Sequence, residues 1–509
     1  MDAHNAAVAT ISERVRGFYA RKEPFRVYHG STNSTRASAR NRDNTVDTSN
    51  LNHVLRVDAE TKVALVEPNV SMDRLLDATM ERDLIPPVVM ELPAITVGGG
   101  FSGMAGESSC FRYGPFDCIV NSIEIVLGNG DVARASRTEK PDLFWGAVCA
   151  FGTMGIVTLL ELQLRDAKGF VELTHYPFSS FSAASAKIQE ETKKPEVDFV
   201  DGISFSPRSI VVCSGRLVDS VPAGSAPRRY TGRADPWFYL DVEKRTENGT
   251  KQVTDYVPVA DYFFRWDRGA FWVAKYAFSY FVTPFNRVTR YLLDRFMHAK
   301  VMYHALHKSG LSDRYIIQDV GVPYEAAEEF HEWLHQTVNI YPLWLCPIRL
   351  RRDAPDSGHG LHADFADPTT PEVCLNFGVW GPGAGVRNYD DFVRQNRAIE
   401  QKVQELRGKK TLYACNYYTE DEFWTVYNRA RYDAVREKYH ASWLPSVYDK
   451  IIVDEAAKQR AIDASRLPNS LRNVWPFQGL YGVYKAWRGG DYLLQSKKAP
   501  PDQTSKKDV

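Results

Sequence analysis

An α+β fold is predicted for this sequence, and three stretches predict it. The first is Glu91 to Gly114, ELPAITVGGGFSGMAGESSCFRYG, in which Gly98, Gly99, Gly100, Gly103 and Gly106 fall within nine residues. Glycine loses more chain entropy than alanine on ordering, so no regular helix or strand is expected there. The second is Asp117 to Ala135, where Gly128-Asn129-Gly130 between two apolar runs signals a tight hairpin. The third is Asp142 to Leu164, DLFWGAVCAFGTMGIVTLLELQL, which reads as a short helix, a glycine turn and a long strand.

The 509 residues allow two or three domains. Hydrophobic residues at 44% and charged ones at 25% are ordinary for a globular chain. Lys+Arg and Asp+Glu balance at 63 each, which gives no bulk-charge ground for a nucleic-acid partner. The 7 cysteines contain no CxxC pair, so a reduced intracellular chain without a metal site is expected. The N-terminus lacks the apolar core of a signal peptide. Phe144 to Leu160 is uncharged, but it carries three glycines and is short for a membrane span. It reads as buried backbone beside a ligand, and no transmembrane helix is expected.

Taken in order, residues 1–23 form a helix with Ile11, Val15 and Phe18 on one face, ended by Pro24. A short strand then enters a turn of Gly30, Ser31, Thr32, Asn33 and Ser34, with Thr35 and Arg36 following. Small donors beside a cation suit a phosphate loop, although neither a Walker loop nor a GxGxxG fingerprint is present; a polar β-turn is the alternative. Thr45 to Val57 and Lys62 to Val70 alternate like strands, and Ser71 starts a helix carrying Leu75, Leu76 and Thr79. The glycine stretch follows. Without Cβ atoms, its N–H groups can converge on an anion, with Thr96, Ser102, Ser108 and Ser109 as further donors. It reads as the floor of a nucleotide-cofactor site or, more plainly, as a glycine-rich surface loop.

These pieces in this order resemble the FAD-binding domain of the vanillyl-alcohol-oxidase, or PCMH-type, flavoproteins. The match is the GSTNS loop, the VALVEPNV strand with its helix, TVGGG…GESS…YG, LGNGDV and DLFWGA…GTMGIVT, over about residues 24–170. The second half adds the HxVEG-like DFVDG (198–202), the aromatic and basic run of Tyr239 to Met297, YIIQDVGVPY, NIYPLWLCPIRL, EVCLNFGVWGPG and TLYACNYYTEDEFW. With these the chain resembles the Diminuto-type delta-24 sterol reductases from about residue 24 to 451. Members of that family often begin with a membrane-spanning helix, which is not seen here. The chain also runs 58 residues past Ile451 into a polar tail expected to be disordered.

The resemblance implies an N-terminal helix (1–23), a two-subdomain PCMH-type FAD-binding domain (24–170) and a substrate domain with an antiparallel sheet flanked by helices (171–410). A segment closing the active site (411–451) and an extension (452–509) follow. It implies FAD bound by Gly30 to Ser34, by Thr96, Gly98, Gly99, Gly100, Ser102 and Gly103, and by Glu107, Ser108, Ser109 and Tyr113. Gly155, Ile156 and Val157 would line the adenine and ribose. His29 precedes the first loop and Cys110 reads as a small buried filler, so the FAD is expected to be non-covalent. NADPH is the implied electron donor. The implied reaction is reduction of an isolated C=C in a sterol or terpenoid side chain. A cytoplasmic place, or a peripheral one at the endoplasmic reticulum membrane, goes with it.

Such a reduction needs a hydride on one carbon and a proton on the other, and a neutral tyrosine suits the second role. Tyr413 is the first candidate, with Tyr417 and Tyr418 close by. In a strand, Tyr413 and Tyr417 share a face, and all three also read as sheet aromatics of a core. Gln318 and Asp319 end an apolar strand, where they either touch the flavin ring or cap a turn. Arg265, Arg268 and Lys275 lie among aromatics, which suits snorkelling over a packed face or contact with a phosphate. Phe271 to Phe285 is expected to form a greasy rim through which a lipid substrate enters. An FAD-dependent oxidase or dehydrogenase of an alcohol, lactone or secondary metabolite is one rival reading, and a non-enzymatic flavin-binding or lipid-binding scaffold is the other.

Overall fold

The computed structural model describes residues 1–29, 44–247, 251–351, 361–362, 364, 367, 369–383, 385–386, 388–453 and 475–488. The first strands are β1 (Arg26–Tyr28), β2 (Thr45–Asp47), β3 (Val54–Asp58), β4 (Val63–Val66), β5 (Leu84–Ile85), β6 (Val120–Leu127), β7 (Val132–Ser136), β8 (Gly155–Gln163) and β9 (Arg165–Asp166). Then come β10 (Phe170–Phe178), β11 (Phe199–Ser206), β12 (Ser209–Val218), β13 (Val253–Pro258), β14 (Tyr315–Pro323), β15 (Leu343–Arg349), β16 (Val373–Pro382) and β17 (Lys409–Lys410). The fold is α+β.

A five-stranded sheet runs β3-β4-β8-β6-β7, with every neighbouring pair antiparallel. The GNG signal is realised as the β6–β7 hairpin, where Val126 pairs with Val132 and Gly130 has φ +88°. A Cβ on Gly130 would lie 2.3 Å from Arg16 Cγ. Glycine therefore serves both the turn and the first helix, α1 (Asp2–Arg21), which rests on it. Helix α1 buries Val8, Ile11, Val15 and Phe18 against Val126 and Ile156. Its His4 bridges Glu67 at 2.9 Å and Glu124 at 3.1 Å, tying the helix to β6 and to the loop after β4.

A large antiparallel sheet runs β13-β10-β12-β11-β15-β16-β14-β17. Helices Phe181–Glu191, Tyr324–Thr337 and Tyr389–Glu405 cover one face, with Ile188, Phe330, Phe377 and Ile399 in a shared core. The other face meets the smaller sheet's side of the molecule. One continuous core there joins Phe101 and Leu160 to Trp266, Trp272, Trp344 and Trp380. The candidate site lies in this second layer, between the glycine stretch and the large sheet.

Two expectations about local structure are corrected. Val97–Gly103 forms a helix despite its glycines. Thr96 caps it by accepting from the Gly99 N–H, and the helix fits a slot that side chains would fill. A Cβ on Gly98 would sit 2.7 Å from Pro68 Cβ and 3.0 Å from Pro68 O. On Gly100 it would meet the Met90 thioether at 2.6–2.7 Å. Packing thus overrides helix propensity. Ala at Gly98 meets the Pro68 ring and backbone, whereas at Gly100 its closest contact is the movable end of a methionine, with the Phe116 ring at 3.0 Å. Gly98→Ala is accordingly expected to cost about 1–3 kcal/mol in urea unfolding, and Gly100→Ala distinctly less.

Thr411 to Tyr418 is not a strand either; only Lys409–Lys410 pairs with β14. The reason is a buried ion pair, Lys410 Nζ–Glu400 Oε1 at 2.6 Å. Lys410 also donates to Cys415 O at 2.7 Å, and Glu400 accepts from the Tyr417 N–H at 3.0 Å, which curls the chain back on itself.

Candidate active site

Strand alternation in β14 separates Gln318 from Asp319. Gln318 points into the helix-covered layer, donating to Asn396 Oδ1 at 2.7 Å and Cys415 O at 3.3 Å. Asp319 points the other way. Its carboxylate accepts from the Tyr413 hydroxyl and from Asn376 Nδ2 at 2.9 Å, the latter on the neighbouring β16. A Cβ on Gly378 would lie 3.1 Å from Asp319 Oδ1, so glycine there leaves the carboxylate room. The structure thus joins Tyr413 and Asp319 and leaves Gln318 outside their cluster, mid-strand rather than at a strand end. Tyr417 packs on Phe392 in the helix-covered layer, and Tyr418 on Phe423 in the other.

Two further titratable groups lie near enough to interact with the pair through charge. Burial pushes Glu91 up to about 8, and the Asp319 charge adds to the shift. Burial also lifts Asp319 to about 6, against the pull of hydrogen bonds from Tyr413 and Asn376. Tyr413 is held well above its usual range, by burial first and then by the Asp319 charge. Tyr303 is raised by burial and by the charges of Asp319 and Glu91. At neutral pH the cluster therefore keeps a carboxyl proton beside two protonated phenols. Sequence reasoning missed Glu91, Tyr303 and Asn376. The one available signal was an acid, Glu91, standing between an apolar run and the glycine stretch.

The ends of the glycine stretch are latched together, since Glu107 Oε1 accepts from the Glu91 N–H at 2.8 Å. Most of the donors expected to hold a cofactor have protein partners. The Gly98 N–H bonds Pro68 O at 2.7 Å and the Gly100 N–H bonds Thr96 O at 2.9 Å. Ser108 meets the Tyr262 hydroxyl at 3.1 Å and the Glu107 N–H donates to Cys110 Sγ at 2.9 Å, while Tyr113 Oη accepts from Arg165 at 2.8 Å and the Ser109 backbone carbonyl accepts the amides of Arg112 and Tyr113. Gly155 begins β8, where a Cβ would lie 2.4 Å from Val126 O. Ile156 is buried against α1 and Val157 is half-buried against the main core. Gly30, Ser31, Thr32, Asn33 and Ser34 lie outside the described residues.

The open side of the glycine helix passes the test for a large cofactor. Gly99 is exposed, Ser102 and Gly103 are half-buried, and a Cβ on Gly103 would meet only Phe151 at 3.9 Å. Beside it, Cys149 and Phe151 hold positive φ angles of 54° and 51° while their amides bond Phe101 O and Ser102 O at 3.2 and 3.1 Å. Met104, at the helix's end, has φ 58°. Strained non-glycine backbone is thus gathered around a glycine-lined strip that carries no side chains of its own.

Arg265 and Arg268 are corrected from surface cations to buried ones. Arg265 donates to Asp201 at 2.6 Å, and Trp344 donates to the same carboxylate at 3.1 Å. Arg268 pairs with Asp294 at 2.9 Å and donates to three backbone carbonyls. Only Lys275 of the three is exposed.

An apolar cavity, partly open to solvent, lies against the cluster. Phe278, Phe281, Phe296, Met302, Tyr303 and Ile317 line it. Tyr303 senses the charges of Glu91 and Asp319, and Ile317 shares a face of β14 with Asp319, two residues away. The expected greasy rim is thus part wall and part core, because Phe271 and Trp272 are fully packed inside.

Residues 5–136 match the family model described as an FAD binding domain. A Delta(24)-sterol reductase of Arabidopsis thaliana is 30% identical over 434 residues, covering 80% of this chain and 76% of that protein. The Delta(24)-sterol reductase of Homo sapiens is 28% identical over 412 residues, covering 79% and 76%. Cytokinin dehydrogenase 1 of Arabidopsis thaliana is 27% identical over 172 residues, or 33% of this chain and 30% of that one.

Proposed function

Because the chain belongs to the Delta(24)-sterol reductase family and carries an FAD-binding domain, we propose that it reduces an isolated C=C in a sterol or terpenoid side chain, drawing electrons from NADPH. The observation that carries this reading is an apolar cavity whose wall, at Tyr303 and Ile317, adjoins the Asp319–Tyr413 pair. Gly99, Ser102 and Gly103 would hold FAD non-covalently, and it would supply the hydride for such a reduction.

The chain's own residues do the rest. The cavity takes the hydrocarbon and excludes water, which strengthens every polar interaction at its inner end. Tyr413 is the proton donor to the second alkene carbon. Asp319 and Asn376 position it. While ionised, Asp319 draws the phenol hydrogen to itself. Once protonated, it donates to the Tyr413 oxygen and frees the phenol O–H to turn toward substrate. Glu91, largely protonated at neutral pH, stores the replacement proton.

The test is product analysis after incubation with FAD, NADPH and a sterol bearing a C24–C25 double bond. The saturated product is expected. Oxygen consumption on an alcohol with no nicotinamide present, and no saturated sterol, would replace this reading with the oxidase.

A further inference from the structure

Among the described residues, eleven large apolar side chains are exposed, and nine of them sit on two neighbouring stretches. On helix Phe477–Arg488, Phe477, Leu480, Tyr484 and Trp487 recur at helical spacing on the outer face, with Trp475 just before it. The second stretch is Val282 with Val288, Tyr291 and Leu292, on and beside helix Arg287–Leu293. The first stretch is tied to Tyr280, two residues before Val282. Trp475 Nε1 donates to Tyr280 O at 2.5 Å, and the Gly479 N–H bonds the Tyr280 hydroxyl at 3.2 Å.

The inner face of helix Phe477–Arg488 forms one wall of the apolar cavity through Gly479, Val483 and Ala486. A Cβ on Gly482 would lie 2.5 Å from Ala305 O, so glycine seats the helix tightly. The helix is therefore apolar on both sides: one side covers the cavity and the other faces outward.

The charge of this region sets it apart from the chain as a whole. The sequence is neutral overall, yet Lys275 to Arg314 holds seven Lys and Arg against two Asp. Helix Phe477–Arg488 adds Lys485 and Arg488 with no acid. Lys275, Arg287, Lys308 and Arg488 are exposed. Arg488 donates to the Tyr484 hydroxyl at 2.5 Å, and Lys485 lies 5.6 Å from the Tyr481 ring. Val282, 73% exposed, holds φ at +50°, a costly angle for a β-branched residue at an outward tip.

Exposed aromatics and aliphatics rimmed by cations on one helical face are complementary to an anionic phospholipid surface, whose headgroups take the cations and the Trp and Tyr rings. We propose that helix Phe477–Arg488, with Val282 and helix Arg287–Leu293, docks the protein on an anionic bilayer, with the cavity directly beneath the docked helix. This does not depend on which reaction the site performs.

The test is co-sedimentation of the full chain with vesicles of phosphatidylcholine, with and without phosphatidylserine. The wild type is expected to sediment with the anionic vesicles and to be released by salt. Phe477→Glu with Leu480→Glu, and separately Lys485→Glu with Arg488→Glu, are each expected to weaken binding on the order of tenfold or more. All four side chains lie on the outer or flanking side of the helix, and unchanged circular-dichroism melting confirms that the variants fold. Failure to sediment with either vesicle overturns the proposal, as does undiminished binding by both variants. So does a dimer in solution that Leu480→Glu disperses, since the surface would then be an interface between copies of this chain.

Discussion

Tyr413→Phe is expected to lower alkene reduction by about 10²–10⁴-fold, the usual worth of a positioned proton donor. The substitution keeps the ring and its packing and removes only the hydroxyl that meets Asp319. FAD binding and electron uptake from NADPH are therefore expected to stay near wild type, since the hydroxyl belongs to the alkene half of the reaction. The check is single-turnover kinetics with each half-reaction followed separately. Full turnover by the variant removes Tyr413 as donor. Asn376→Asp in the same assay separates positioning from donation. It places a second acid beside Asp319, raises the cost of ionising the pair and shifts the pH profile more than it lowers the maximal rate.

The second large effect is on pH dependence. Glu91 at about 8 and Asp319 at about 6 interact, so they lose protons as a pair in two steps. Below the upper step at least one proton remains in the pair, and a pH-independent share of it sits on Asp319, where it frees the phenol O–H. Above it neither carboxyl carries a proton, and the phenol hydrogen stays fixed on an ionised Asp319. The alkene-reducing step is thus expected to be level between the two steps and to fall about tenfold per pH unit above pH 8. Glu91→Gln takes one member from the pair. Its alkaline limb is expected to begin nearer pH 6, where Asp319 alone titrates. A pH–rate profile of the isolated step measures both. An identical limb in the variant and the wild type would leave Glu91 without a role in the proton supply.

The sequence made the hairpin at Gly128–Gly130, the first helix and the long β8 strand legible because each is decided locally. Turn chemistry, a single apolar stripe and a β-branched run need no distant partner. The glycine helix was not legible. Pro68, Met90 and Phe116 make the slot that stabilises it, and they are remote in sequence or hidden in other elements. The curl at Tyr413 depends likewise on Glu400, whose buried pairing with Lys410 no pattern announces.

Among the candidate site residues, Asp319 and Tyr413 were named from the sequence, 94 residues apart, and the structure joins them. Gln318 was named with Asp319 because they are adjacent. Adjacency within a strand sends them to opposite faces. Arg265 and Arg268 illustrate the converse error. A cation among aromatics reads as snorkelling until the carboxylate that buries it, Asp201 or Asp294, is found elsewhere in the chain.

Electrons are expected to pass from a nicotinamide through this protein's flavin to an alkene in the apolar cavity. Anaerobic stopped-flow mixing follows this transfer directly, by flavin absorbance. NADPH first, then a sterol with a C24–C25 double bond, is expected to bleach the flavin and then restore its colour, with Tyr413→Phe bleaching normally and recovering slowly. A flavin that NADPH leaves yellow, or that bleaches and is never restored by the alkene, would contradict it.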